Sequence, residues 1–288
     1  MSKKNSAFVA LLAGVTLNFA SEGTFGACEA PAGTMVVSGG KHVHVLQTGL
    51  GKATVVFVSG LGEDLSTWRD VQPAISSVAV TISYDRAGLG CSDPAPAGTP
   101  RDARQLAAEL HGLLDSMEVR RPVIFVGHSL GGAIVEVYAK DYGGEVAGLV
   151  LVDPEDGRLI ALERSAMPGE LWAVHERRVM DSIGALSVSQ RLELEALEAS
   201  GELVRRSLPL PGVPSVLLTG TKKNPEFPGN PIEQDLKLQL HVELARTTPR
   251  MQHWLVPTSR HYIQNDVPDE VIQAIKRVLA LARKDGIQ

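Results

Sequence analysis

The stretch that decides the fold is Pro122-Val123-Ile124-Phe125-Val126-Gly127-His128-Ser129-Leu130-Gly131. Its first half is a continuous apolar run, which is typical of a buried strand. Beyond it, apolar residues recur at three- and four-residue spacing and predict a helix: Ala133, Ile134, Val137 and Tyr138. A Gly-x-Ser-x-Gly between such a strand and a helix is typical of a nucleophile elbow. The glycines permit a sharp turn that lifts the serine hydroxyl above the sheet, at the positive end of the helix. We therefore predict that Ser129 is a nucleophile.

The composition is that of an ordinary globular protein. The chain has 288 residues, of which 44% are hydrophobic and 21% charged, and its net charge of -5 offers no basic surface for nucleic acid. Zinc-type Cys/His spacing and glycine-rich phosphate loops are missing from the sequence, so we expect neither a metal nor an organic cofactor. The two cysteines, Cys28 and Cys91, do not make a disulfide framework, although they have the option of pairing with each other.

The N-terminal residues differ from the rest of the chain. Lys3 and Lys4 precede an apolar run from Ala7 to Ala20, and small and polar residues follow. This pattern predicts a signal peptide within residues 1–30, with cleavage after Ala20, Ala27 or Ala30. The run is shorter than the about 20 apolar residues of a membrane span, so we expect no stable membrane insertion after processing. We expect an exported protein, periplasmic or secreted; the alternative is a cytoplasmic protein with an N-terminal extension.

The remainder of the chain alternates strand patterns with helix patterns. Apolar runs predict strands, and between them lie amphipathic segments that predict helices, such as Arg101–Leu114. The strand segments are Met35–Val37, His42–Gln47, Ala53–Ser59, Ser77–Tyr84, Pro122–Val126, Val146–Val152, Ser215–Thr219 and Trp254–Val256. Such alternation predicts an α/β fold with a mostly parallel sheet and helices on both faces. In the second of these strands, His42 and His44 alternate with valines and are expected to face solvent.

The alternation breaks once, over residues 155–212. This segment has no convincing strand but contains helical patterns, among them Leu171–Met180 and Ser189–Glu198. An insert at this point lies above the carboxyl ends of the strands, where open α/β sheets bind ligands. We therefore divide the chain into a leader at 1–30, a core formed by 31–154 and 213–288, and a helical lid at 155–212.

A serine nucleophile needs a base and donors for the developing oxyanion. His261 is the favoured base because it lies in a loop between the last strand and the final helix, at the mouth of the sheet. His253 is the less favoured alternative, since it lies at the start of the last strand. The oxyanion donors are expected to be the backbone N–H groups of Leu130, after the nucleophile, and Leu61, in the loop after the Ala53–Ser59 strand.

Taken together, these motifs resemble the α/β-hydrolase fold superfamily, and within it the lipase/esterase-like serine hydrolases with a short helical lid. The matching segments run in family order: Val58-Ser59-Gly60-Leu61-Gly62, Tyr84-Asp85-Arg86-Ala87-Gly88-Leu89-Gly90-Cys91-Ser92, Gly127-His128-Ser129-Leu130-Gly131-Gly132, Leu149-Val150-Leu151-Val152-Asp153 and His261-Tyr262-Ile263-Gln264. The resemblance spans about residues 34 to 284. It implies serine-dependent hydrolysis of an ester or a related acyl compound, without metal or cofactor, and a structural role for Asp85 and Arg86.

The chain departs from the family pattern at the acid of the triad. The usual aspartate follows the Ser215–Thr219 strand, but here the segment from Gly220 to Glu226 contains none. Some members place the acid one strand earlier, and Asp153 occupies that place. We therefore favour Asp153, with Glu226 second and Glu155 or Asp156 as further alternatives.

These observations lead to one favoured function and two rivals. The favoured one is a serine hydrolase that cleaves a small to medium carboxylic ester or lactone through an acyl-enzyme, with Ser129, His261 and Asp153 as the triad. Acyl transfer or carbon–carbon bond hydrolysis on the same triad is the first rival. A non-catalytic ligand-binding protein of the same fold is the second.

Overall fold

A computed structural model describes residues 32–183, 186–226 and 229–286, with side chains in the helix before residue 184 described as far as Arg177. The predicted signal peptide lies outside the described residues. The pairing of Cys28 with Cys91 also lies outside them, because Cys28 does.

The centre of the molecule is one eight-stranded sheet, in the order β1-β2-β4-β3-β5-β6-β7-β8. The strands are β1 (Thr34–Ser38), β2 (Lys41–Thr48), β3 (Thr54–Val58), β4 (Val80–Tyr84), β5 (Val123–His128), β6 (Val146–Val152), β7 (Ser215–Gly220) and β8 (Met251–Val256). β2 pairs antiparallel with β1 and β4, and all the other neighbours are parallel. The predicted mostly parallel α/β sheet is confirmed.

Helices cover both faces of this sheet. They are α1 (Gln72–Ser76), α2 (Ala103–Ser116), α3 (Leu130–Asp141), α4 (Leu159–Ala166), α5 (Gly169–Ile183), α6 (Val188–Glu195), α7 (Leu197–Ser207), α8 (Asn230–Thr247), α9 (Ile263–Asp266) and α10 (Pro268–Lys284). The apolar stripes of α2 and α3 pack in one hydrophobic core, and those of α1 and α10 pack in a second core on the opposite face. Because β3, β5, β6, β7 and β8 are parallel, the loops that follow them meet at the same edge of the sheet.

The segment between β6 and β7 is helical where it is described, and it contains α4 to α7. From α6, the Gln190 side chain donates to the carbonyl oxygen of Gly62 at 3.0 Å, so this segment contacts the loop after β3. Movement of the segment as a lid stays a prediction. No helix in the described part of the chain is both long and apolar enough to cross a membrane.

The prediction for His44 was wrong. His42 is exposed, but the side chain of His44 is buried and its Nδ1 lies 2.8 Å from Asp85 Oδ2. The strand alternates as expected, yet the loop that follows β4 covers its second face: the Cys91 N–H and the His44 ring both meet the Asp85 carboxylate. Strand alternation separates core from solvent only where one face of the strand is open to water.

Candidate active site

Ser129 sits in a strained turn between β5 and α3. Its φ of 50° and ψ of -119° lie in a region that L-residues rarely adopt. The turn depends on its glycines, since a Cβ on Gly131 would collide with the Val58 carbonyl and one on Gly127 would collide with Gly131. A strained serine at a strand–helix turn is the expected geometry of a nucleophile elbow.

Asp153 and His261 come together at the end of the sheet. Asp153 directly follows β6 and is buried, while His261 lies in the loop after β8. The His261 Nδ1–H donates to Asp153 Oδ2 at 2.8 Å. The Asp153 backbone also has a positive φ, 45°, so two of the three predicted triad residues hold strained backbone.

Gly220, the last residue of β7, contacts both Asp153 and the loop that carries His261. Its N–H donates to Asp153 Oδ1 at 2.9 Å. A Cβ at this position would strike the backbone of Arg260, the residue before His261. Gly220 therefore fixes the carboxylate and allows the His261 loop to approach it closely.

A residue that sequence analysis did not single out completes the surroundings of Asp153. Lys237, on α8, places Nζ 2.6 Å from Asp153 Oδ2, and both side chains are buried. Burial by itself would raise the pKa of Asp153, but the Lys237 ammonium and the hydrogen bond from His261 hold that pKa well below its usual range. Asp153 is thus an ionised hydrogen-bond acceptor.

His128, the residue before Ser129, joins the elbow to the loop that carries His261. The His128 Nε2–H donates to the carbonyl oxygen of His261 at 3.0 Å, and the two rings lie 4.7 Å apart. Among the described residues, no hydrogen bond joins the Ser129 hydroxyl to the His261 ring, a contact that often tightens only when substrate is bound. Burial lowers the pKa of His261, and the hydrogen bond to Asp153 opposes this only in part.

His128 also binds the loop after β3. Its Nδ1 lies 3.3 Å from Glu63 Oε2, the carboxylate oxygen that accepts the Gly60 N–H at 2.7 Å. Burial would lower the pKa of His128, but the Glu63 carboxylate outweighs burial and raises it. The contact between His128 and Glu63 therefore links the loop after β3, the elbow and the His261 loop.

The loop after β3 carries Leu61, the predicted oxyanion donor, and its backbone N–H groups differ in whether they have an acceptor. The N–H groups on either side of Leu61 are engaged, because Gly60 donates to Glu63 and Gly62 donates to Glu193 Oε2 at 2.9 Å. Within the described residues, the Leu61 N–H donates no hydrogen bond. Leu130 begins α3, so its N–H has no acceptor inside that helix.

A buried ion pair holds the same loop from the other side. Arg86 binds the carbonyl oxygens of Ser59 (2.6 Å) and Gly60 (2.5 Å), and it forms a two-point contact with Glu193 of α6 at 2.6 and 2.8 Å. Arg86 and Glu193 are 3% and 1% exposed. Arg86 therefore holds the backbone of the loop that carries Leu61, in agreement with the structural role expected for it.

The alternative acids and bases lie elsewhere. Glu226 is exposed, and Asp156 pairs with Arg158 at 2.7 Å. His253, on β8, lies 2.8 Å from the Thr219 hydroxyl. The described structure therefore brings Asp153 into contact with His261 and places neither Glu226 nor His253 in that contact.

Comparisons with known proteins agree with this architecture. A family model described as the alpha/beta hydrolase fold matches residues 53–178. The uncharacterized protein YqjL of Bacillus subtilis is 28% identical over 229 residues, which cover 80% of this chain and 84% of YqjL.

Two solved structures show the same fold over most of their length. A thermophilic esterase from Thermogutta terrifontis superposes with a TM-score of 0.63 at 21% identity, covering 87% of this chain and 98% of the esterase. A meta-cleavage product hydrolase from Pseudomonas fluorescens IP01 superposes with a TM-score of 0.61 at 19% identity, covering 86% and 98%. Together with the strand order, these comparisons show that the chain has the alpha/beta hydrolase fold.

Proposed function

We propose that the protein is a serine hydrolase that cleaves a small to medium carboxylic ester or lactone. The observation that carries the proposal is the 2.8 Å hydrogen bond from His261 to the ionised Asp153, beside a strained serine elbow. The known activities of relatives do not carry it, because the solved structures are under 25% identical and show the fold alone.

In the proposed reaction, His261 Nε2 removes the proton from the Ser129 hydroxyl as its oxygen attacks the substrate carbonyl. Asp153 fixes the tautomer of His261, since its carboxylate accepts from Nδ1 and leaves Nε2 free to act as base. The N–H groups of Leu61 and Leu130 stabilise the oxyanion. His261 then protonates the leaving alkoxide, and water, activated by the same histidine, releases the acid from Ser129.

The decisive experiment is labelling with a fluorophosphonate, which reacts with an activated serine. We expect wild type to be labelled at Ser129 and Ser129→Ala to be unlabelled while keeping its thermal unfolding temperature. The matched control is Ser66→Ala, at an exposed serine of the same sheet edge, and it should be labelled like wild type. A folded wild type that resists labelling would favour the non-catalytic ligand-binding alternative and overturn the proposal.

A panel of p-nitrophenyl esters of graded acyl length, with lactones beside them, then tests the substrate class. Turnover that is highest on short to medium chains or on lactones supports the proposal. Labelling of Ser129 without turnover of any member of the panel contradicts an esterase. Acyl transfer or carbon–carbon bond hydrolysis would then be tested next.

We also propose that the protein is exported, because of the basic start and the apolar run from Ala7 to Ala20. N-terminal sequencing of the protein from its native source should begin between Ser21 and Pro31. A mature protein that begins at Met1 or Ser2 contradicts export.

A further inference from the structure

Among the described residues, the carboxylate of Asp153 has three hydrogen-bond partners. Oδ1 accepts the Gly220 N–H at 2.9 Å, and Oδ2 accepts both the His261 Nδ1–H at 2.8 Å and the Lys237 ammonium at 2.6 Å. One oxygen atom therefore accepts from both the proposed base and the Lys237 ammonium. Asp153 is 0% exposed and the Lys237 side chain 7%, so water screens this arrangement poorly.

The other acidic side chains near Lys237 favour their protonated form, so they compete weakly with Asp153 for the Lys237 ammonium. Burial raises the pKa of Glu155 to about 8 and that of Glu163 to about 9, and it also raises the pKa of Glu233. Near neutral pH, Glu155 and Glu163 are therefore protonated, and Asp153 is the ionised group in direct contact with Lys237. Among the described residues, the ionisable groups that face Lys237 or the His261 ring come from six elements. They are Asp153 and Glu155 after β6, Glu163 on α4, Glu233 and His241 on α8, His261 and Tyr262 after β8, His128 on β5 and Glu63 after β3.

The shared oxygen has a consequence for the proton on His261. When His261 takes the proton of Ser129, the imidazolium and the Lys237 ammonium face the same carboxylate oxygen. Lys237 thus repels the protonated form of His261 while it stabilises the ionised form of Asp153. Removing its charge would leave His261 as the main cationic partner of a buried carboxylate, and protonation of His261 would become easier.

We propose that Lys237 is a positioning residue that keeps Asp153 ionised and keeps His261 in its neutral, base-competent form down to lower pH. This inference rests on the proposed function, since it assumes that His261 activates Ser129. It assigns to α8 a part in the reaction, although none of its residues belongs to the Ser-His-Asp set.

The test is the rate of fluorophosphonate labelling of Ser129 as a function of pH, in wild type and three variants. This rate needs neutral His261, so it falls on the acidic side with the protonation of that ring. In Lys237→Met we expect the acidic midpoint to rise by about one pH unit, because a charge in contact with the carboxylate is lost. Lys237→Arg keeps the charge and should keep the midpoint of wild type. Lys223→Met is the matched control, because Lys223 pairs with Asp235 in solvent, and it should leave the profile unchanged.

Each outcome is decisive. A folded Lys237→Met whose labelling rate falls equally at all pH values, with an unmoved midpoint, overturns the proposal and makes Lys237 a structural residue. If Lys237→Met does not fold, Lys237→Gln, whose amide can still donate to Asp153 Oδ2, replaces it, and an acidic midpoint equal to that of wild type then overturns the proposal. A wild-type midpoint above about 6.5, the ordinary histidine value, also overturns it. A wild type without labelling at Ser129 instead refutes the proposed function, and this inference with it.

Discussion

His261 Nδ1 lies 2.8 Å from Asp153 Oδ2, although 108 residues separate the two in the chain. The contact forms because β6 and β8 are parallel strands on either side of β7, so the residues after both strands reach the same edge of the sheet. Gly220, at the end of the intervening β7, donates to the same carboxylate. The proposed acid thus follows β6, and the last residue of β7 holds its carboxylate.

The first prediction concerns this acid. Asp153→Asn should lower kcat by at least about 10²-fold with little change in KM, because an amide no longer fixes the His261 tautomer or stabilises the imidazolium. Glu226→Gln should cost less than about tenfold, since Glu226 is exposed and away from His261. Steady-state kinetics on the best ester of the panel measure both. A larger loss in Glu226→Gln than in Asp153→Asn would move the acid to the loop after β7.

The second prediction separates the two candidate bases. His261→Ala should lower kcat by about 10⁴-fold, the loss typical of a triad base, because it removes the imidazole that Asp153 orients towards this role. His253→Ala should keep kcat within about tenfold of wild type, since its ring contacts Thr219 and not Asp153. Similar losses in the two variants, with both proteins folded, would exclude His261 as the specific base.

The elbow could be predicted from the sequence because its determinants are local. A buried strand, two glycines and a helix lie within consecutive residues, and together they favour a strained turn at Ser129. His261 could be placed at the same edge because any residue after the last parallel strand must lie there. Asp153 required a further argument, the lack of an aspartate after β7.

The partners of these residues could not be predicted, because they depend on tertiary contacts. Lys237 lies 84 residues from Asp153, on a helix whose apolar residues mark no clear face, and a lysine on such a helix is ordinarily solvated. Glu193 lies on α6 and reaches Arg86, 107 residues away. His128 occupies a variable position of the elbow motif, so the motif says nothing of its contact with Glu63.

The third prediction tests the clamp on the Leu61 loop. Glu193→Gln should lower the free energy of unfolding by about 3 kcal/mol, because it leaves the buried Arg86 guanidinium without its carboxylate. It should also lower kcat, because the Gly62 N–H and the loop that carries Leu61 lose an anchor. Urea unfolding and ester kinetics measure the two effects. The matched control is Glu195→Gln, at an exposed glutamate of the same helix, which should change stability by less than about 0.5 kcal/mol.

A double variant separates the stability of the clamp from its role at the loop. Arg86→Met with Glu193→Leu removes both buried charges, so stability should recover relative to Glu193→Gln. The bonds from Arg86 to Ser59 and Gly60 are still lost, so kcat should stay low. A double variant with wild-type kcat would show that the clamp does not position the oxyanion loop.

The last prediction concerns stability in acid and rests on His241. This side chain is 1% exposed, its Nε2–H donates to the carbonyl oxygen of Pro154 at 3.0 Å, and its Nδ1 accepts from the Thr219 hydroxyl at 2.7 Å. Pro154 directly follows Asp153, so the ring fastens the loop that carries the acid. Burial, with a contribution from Lys237, lowers the pKa of His241 to about 4.

The sign follows from comparing the folded and unfolded states. An unfolded histidine takes up its proton near pH 6.5, but folded His241 takes it up only near pH 4. The unfolded state therefore binds more protons between these values, and the contribution of His241 to stability is complete above pH 6.5 and falls as pH decreases towards 4. The expected loss is about 3 kcal/mol across this window.

His241→Gln should lose less stability than wild type over the same range, while His42→Gln, at an exposed histidine, should keep the slope of wild type. Urea unfolding at pH 7.5, 6.5, 5.5 and 4.5 measures all three proteins, and equal slopes for His241→Gln and wild type would exclude His241 as the group responsible.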